Sequence, residues 1–474
     1  MVVQRTPKET VRAIPKMGQN KKSKKTVRPI AKMEPLKQIN LNAAGIDIGS
    51  AEIWVCVPEG RDEKSVRMFQ TFTRDLHDLA NWLKACQVTT VAMESTGIYW
   101  IPIYEILVAA GFAVKLVNAR RVKNVPGRRS DVSDCQWLQQ LHTYGLLAGS
   151  FMPNEAFTAL RAFVRHRDNL INCRSMHIQH MQKALHLMNL QLDNVISDIT
   201  GATGMRIIRA IVDGHRSPEV LAGHRDPHCK SDRLTIAKSL EGNYKHEYIF
   251  ELQQALSLYD FYTKLIKACD QECEKEYAKF ATKANPVEKP LPPRHRPRHR
   301  PEKNEPEFDL RTDLYRLCGV DLTAIHGCNA LTIQAVISEI GVDMSKWPTI
   351  KHFTSWLCLC PDKEVSGGKV LRSKTRKTKN RANKALRMAA QSLHASDSAL
   401  GAFYRRLRAR LGAPKAITAA AHKLSRIIYH MLKDKKEYVD LGADYYEFKY
   451  REREIRKLKQ KATRLGLQVV PIAA

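Results

Sequence analysis

Between residues 43 and 147 the chain alternates between two hydrophobic periods. "AAGIDIG" and "EIWVCV" are short apolar runs separated by a tight turn, and "VRMFQTFT" follows as a third. These predict strands. "RDLHDLANWLKACQ" places Leu76, Leu79, Trp82 and Leu83 on one helical face. "VTTVAME" predicts a short buried strand ending at Glu94. "YWIPIYEILVAAG" predicts a helix stopped by Gly111, and "FAVKLVN" another strand. "DVSDCQWLQQLHTYGLL" predicts a helix capped by Ser130 or Asp131. Three strands followed by helix, strand, helix, strand, helix argue for a mixed α/β sheet.

Beyond residue 150 the period is almost wholly helical. "FTALRAFVRHRDNLINCRSMHIQHMQKALHLMNLQL" runs for more than thirty residues without proline or glycine, and a second long run covers "YIFELQQALSLYDFYTKLIKACDQECEKEYAKF". Two such helices fit either a protruding antiparallel, coiled-coil-like arm or the core of a helical domain. The proline-rich "KANPVEKPLPPRHRPRHRPEKNEPE" then reads as an extended basic linker. In the next domain, "LTAIHGCNALTIQAVISEIG" reads as helix, glycine turn, helix: a helix-hairpin-helix-like element whose turn amides could grip a phosphate. The resulting organisation is a disordered basic tail (1–40), an α/β domain (41–150), a helical arm (151–282), a linker (283–308), a mostly helical domain (309–435) and a basic C-terminal helix (436–474).

Charge changes the picture most. The 474-residue chain has 78 Lys and Arg against 48 Asp and Glu, a net charge of +30. Such a surplus points to a polyanionic partner. Eleven cations and two acids fall between Met1 and Asn40. No window approaches the ~18 apolar residues of a membrane span, and the N-terminus lacks a secretory apolar core. A membrane partner is therefore not expected, and a cytoplasmic, nucleoid-associated protein is. The 11 cysteines show no zinc-finger spacing, which fits reduced thiols.

Four acids stand out. Asp47 sits in an apolar strand with Gly45 and Gly49 on either side, Glu94 ends another strand, and Asp131 and Asp134 share one face at a helix start. Each has a plainer role: a turn-forming Asx residue, a charge at a helix N-terminus, an N-cap. Gathered together, they would repel one another unless hard cations such as Mg²⁺ or Mn²⁺ lay between them. Such ions would clamp a phosphodiester, and the glycines beside Asp47 would let a nucleic-acid backbone approach. Arg120, Arg121, Lys123, Arg128 and Arg129 precede the two aspartates and would hold phosphates.

Downstream, Ser366 precedes two glycines, on what reads as an exposed loop. Lys369, Arg372, Lys374, Arg376, Lys377, Lys379, Arg381, Lys384 and Arg387 follow it without one acid. Cations there would favour an alkoxide and hold a phosphate for attack. The same residues also fit a loop that only grips phosphate.

"GIDIGS", "VAMESTGIYW", "GRRSDVSDCQWLQQLHTYGLL" and "SWLCLCPDKEVSGGKVLRSKTRKTKNRANKALR", in this order, resemble the DEDD insertion-sequence transposases, which include Piv-type invertases and bridge-RNA-guided recombinases. The likeness spans most of 43–435. It implies a RuvC-like (RNase H-type) first domain with Asp47, Glu94, Asp131 and Asp134 as a Mg²⁺-binding catalytic set. It also implies Ser366 as the nucleophile that joins covalently to a DNA end, with the acids assisting from another subunit. The arm would mediate dimers and tetramers, and a structured guide RNA would pair with donor and target DNA. The chain departs from the family in its basic tail, its "PPRHRPRHRPEK" insertion and a single serine before the glycines, with Ser355 and Ser373 as substitutes. The enzyme alternatives are a RuvC-like metal-dependent nuclease on branched DNA, with Ser366 only a phosphate contact, and an invertase without guide RNA. A sugar-kinase-like ATPase would share "GIDIGS", but the second glycine-rich phosphate loop it needs has no counterpart. A non-enzymatic nucleic-acid-binding protein would be indifferent to Mg²⁺.

Overall fold

The structure, a computed structural model, describes residues 36–95, 97–118, 131–293 and 303–468. The basic tail up to residue 35, Arg120, Arg121, Lys123, Arg128, Arg129 and the "RHRPRHRP" segment lie outside them, as does the side chain of Asp131. The chain divides into two compact units, Met1–Phe151 and Met152–Ala474.

The first unit carries strands β1 (Ala43–Ile48), β2 (Glu52–Cys56), β3 (Val66–Gln70), β4 (Thr90–Glu94) and β5 (Ala113–Val117). Helices α1 (Thr73–Ala85), α2 (Trp100–Ala109) and α3 (Asp131–Thr143) are interleaved with them. The sheet order is β3-β2-β1-β4-β5. β1, β2 and β3 pair antiparallel, whereas β4 and β5 join β1 in parallel. This is the mixed sheet of a RuvC-like, RNase H-type domain. β1 and β4 are buried almost throughout, as the central strands of a covered sheet must be.

Helix α3 lies directly on β1. A Cβ at Gly45 would stand 2.2 Å from the Gln139 amide nitrogen and 2.3 Å from the Cys135 carbonyl, so only glycine admits the helix there. Its C-terminal end is tied to the strand starts. The Thr143 carbonyl accepts from the amides of Ile39 (2.8 Å) and Asn40 (3.0 Å), and His142 Nε2 lies 2.8 Å from Thr90 Oγ1.

In the second unit, α4 (Glu155–Leu187) and α9 (His246–Lys279) run side by side. Phe157 packs on Phe280, Arg167 pairs with Asp270, and Arg174 reaches Thr263, so the pairing is antiparallel. The short helices α5 (Leu192–Val195), α6 (Ala202–Val212), α7 (Pro218–Ala222) and α8 (Arg233–Ser239) close the far end over a core including Met188, Ile207, Ile211 and Leu252. The base of α4 meets α11 (Ala330–Ile340), where Arg161 and Arg165 both reach Glu339. Around α11 lie α10 (Leu310–Cys318), α12 (Ile350–Trp356), α13 (Arg381–Ser392), α14 (Ala399–Leu411) and α15 (Ala413–Asp434), followed by α16 (Gly442–Arg464). An antiparallel pair, β6 (Pro361–Ser366) and β7 (Lys369–Thr375), interrupts these helices.

The helix-hairpin-helix reading needs correction. Its first helix is a single 3-10 turn, Leu322–Ala324, capped by Asp321 through the Thr323 amide at 2.9 Å and ended by the extended backbone of Ile325. The turn glycine and second helix stand: Gly327 has φ +86°, and Asn329 caps α11 through the Thr332 amide at 2.8 Å.

His142 yields a pH prediction. Burial first, then Lys115, pulls its pKa from 6.5 to about 4. The folded imidazole stays neutral where the unfolded one takes up a proton. Stability is therefore full above about pH 6.5 and falls as pH drops toward about 4, by at most roughly 3 kcal/mol. Hydrogen exchange of the β1 and α3 amides across this window should show the loss, and His142→Gln should flatten it.

Candidate functional site

The register of β1 and β4 decides where the acids sit. Ala43 pairs with Thr90, Gly45 with Ala92 and Ile46 with Met93. One step further along this parallel ladder, Asp47 falls beside Glu94. Side-by-side residues of parallel strands point to the same face. That face is the one α3 covers, since Gly45 lies two residues before Asp47 and Ala92 packs on Leu138. Asp47 is half-buried and Glu94 is buried.

Helix α3 runs opposite to β1, with its C-terminus at the strand starts. Its first turn, carrying Asp131 and Asp134, therefore lies toward the strand ends that carry Asp47 and Glu94. The charge of Asp47 reaches this helix: the Cys135 thiol is pushed up to about 12, by burial first and then by Cys56 and Asp47. The helix N-terminus offers positive potential to the acids it carries.

All four acids supply carboxylate oxygen, the donor type that suits Mg²⁺ or Mn²⁺. Among the described side chains no three Asp, Glu, His or Cys stand close enough to hold a metal ion, and Asp131 falls outside that statement.

Gly45 does not serve the role expected of it. Its missing side chain admits α3, not a ligand. Gly49 closes the β1–β2 turn, its amide donating to the Glu52 carbonyl at 2.9 Å.

In the second unit Ser366 is not on a loop but at the end of β6. Gly367 (φ +55°) and Gly368 (φ +78°) form the two-residue turn, and Ser366 pairs with Lys369 across it. Positive φ at both positions is the mirror-image type I′ turn, which matches the twist of a hairpin. Every residue of β6 is exposed, Ser366 included. The signal was present in "KEVSGGKVL": a glycine pair flanked by strand formers.

The cations that follow divide by position. Lys369, Arg372 and Lys374 are exposed on β7. Arg372 forms a cross-strand pair with Glu364 at 3.1 Å, Arg376 donates to the Ser355 carbonyl at 2.6 Å, and Arg381 is paired with Asp168 at 2.8 Å. Lys377 and Lys379 are exposed between hairpin and α13. Ser355, one substitute for Ser366, is engaged by Arg376 at 3.2 Å, and Ser373 lies opposite Lys363 in the hairpin.

Comparison with known families returned two matches. A DEDD-type, IS110 transposase model matches residues 44–189. A model described as the IS116/IS110/IS902 transposase family matches residues 321–405. The first contains Asp47, Glu94, Asp131 and Asp134; the second contains Ser366. No curated protein matches the chain.

Two substitutions test this geometry. Gly45→Ala should lift α3 off β1 and destabilise the first unit by about 1–3 kcal/mol, as overpacking does, read as a lowered denaturant midpoint. Gly367→Ala with Gly368→Ala should fray the hairpin at roughly 1 kcal/mol per residue. Proteolysis within 361–375 should rise while global unfolding stays unchanged, because the hairpin buries little.

Proposed function

Because the chain belongs to the IS110-type family of DEDD transposases, enzymes that cut and rejoin DNA, we propose that it moves an insertion sequence by serine-based strand transfer, assisted by a Mg²⁺-binding acidic set. The observation that carries the reading is the shared face of Asp47 and Glu94 beneath the start of α3. Asp47, Glu94, Asp131 and Asp134 would hold the metal, which when bound would neutralise charge developing on a phosphodiester. The chain's own residues do the rest. Ser366, exposed at the hairpin tip, attacks phosphorus. The new Oγ–P bond forms as the bond to a sugar oxygen breaks, and in net the serine proton ends on that released oxygen. Lys369 and Lys374 lie along the same ribbon and attract the strand's phosphates.

In the same reading, residues 151–282 act as an arm joining copies of the chain into dimers or tetramers, and the serine-bearing domain spans 309–435. The resemblance to bridge-RNA-guided recombinases, together with the net charge of +30, supports a structured guide RNA pairing with donor and target DNA. A guide-free invertase is the second reading, favoured if recombination proceeds after RNase treatment.

Ser366→Ala should abolish strand joining and any covalent protein–DNA adduct, while duplex binding changes less than about threefold because the cations remain. Asp47→Asn and Glu94→Gln should each cost at least about 10²-fold in Mg²⁺-dependent recombination, the order expected for loss of a positioned charged group. Adducts trapped by denaturing electrophoresis would read the first, and recombinant product yield the second. A surviving adduct in Ser366→Ala would refute the serine assignment.

A further inference from the structure

Helix α16 lies beyond both segments that match the family. One of its faces is already used. Glu447 pairs with Arg406 of α14, the same guanidinium lies 3.4 Å over the Tyr450 ring, and Tyr446 meets Phe403. A different face carries Phe448, Ile455 and Ala462 at seven-residue steps, with Leu458 three residues after Ile455 and Leu465, the residue that caps the helix end, three after Ala462. Phe448, Ile455, Leu458 and Leu465 are 58%, 44%, 54% and 66% exposed. This is the three-and-four spacing of a coiled-coil seam, about 26 Å long at the helical rise; Ala462 is already buried, but among the described residues nothing fully covers the other four.

The flanking charges say what does. Glu452 and Glu454 flank the first half of the seam; Lys459 and Lys461 flank the second half at the equivalent positions. We propose that α16 pairs antiparallel with α16 of a second copy of this chain. In that register Ile455 meets Leu458 of the partner helix and Phe448 meets Leu465, while the small Ala462 lies opposite Arg451. Glu452 then faces Lys459 and Glu454 faces Lys461, each pair occurring twice by symmetry. Nucleic acid is the competing occupant for so basic a helix. Phosphate, however, makes no use of an apolar stripe, and the two glutamates beside it are already paired with Lys449 and Lys457 of the same helix. The pairing does not depend on the serine or metal assignments.

A parallel dimer would set Glu454 against Lys459 and leave Lys461 beside Gly466, so two charge changes separate the arrangements. In the antiparallel pair Lys461→Glu opposes Glu454 twice. We expect the concentration midpoint of self-association of the full chain, by sedimentation velocity, to rise about tenfold. Adding Glu454→Lys should restore it to within about threefold of the starting value. All these positions are exposed, so circular dichroism should be unchanged. The proposal is overturned if Lys461→Glu leaves self-association as it was. It is equally overturned if the double variant associates more weakly than the single one, or if the only change is weaker duplex binding.

Discussion

The first unit depends on one close approach, the backbone of α3 resting on Gly45 of β1. No other residue leaves room for the Gln139 amide and the Cys135 carbonyl. That contact sets the height of the helix over the sheet. The bonds at Ile39, Asn40 and Thr90 set its direction. Together they bring a helix start bearing two aspartates toward the strand ends bearing Asp47 and Glu94. Burying several acids near one another is costly in a bare protein. The cost is tolerable where a helix N-terminus and cations face them, so the packing and the proposed chemistry require the same arrangement.

The second unit follows a different logic. Its long antiparallel helices are held in register by a buried pair, Arg167 with Asp270, and are anchored to α11 by Arg161 and Arg165 on Glu339. Breaking such a pair leaves a buried charge without compensation, typically about 3–5 kcal/mol. The hairpin carrying Ser366 has no comparable anchor along its strands. It is exposed from Pro361 to Lys374, its apolar Val365, Val370 and Leu371 included, and a two-stranded ribbon is marginal alone. The proposed nucleophile, placed there, would meet a phosphate backbone without any need to open a core.

The charge distribution joins these parts. Several cations expected to bind phosphate also have protein partners: Arg372, Arg376 and Arg381 hold Glu364, Ser355 and Asp168. Lys369, Lys374, Lys377 and Lys379 remain exposed along or just beyond the ribbon. Arginine here also serves to staple elements together.

Local pattern determined much of this molecule. Strand and helix periods and the long helices are legible because hydrophobic spacing is a property of neighbouring residues. Motif order picked out the four acids and the serine as candidates. The pattern did not decide register, so it could not say that Asp47 and Glu94 share a face; one residue of slip would have separated them. Nor could it assign Gly45 to a helix almost a hundred residues away. Ser366 looked like a loop residue because glycine pairs suit loops and hairpin turns alike, and only pairing with β7 distinguishes them. Each of these outcomes rests on contacts between segments distant in the chain, and those exist only once the backbone has folded.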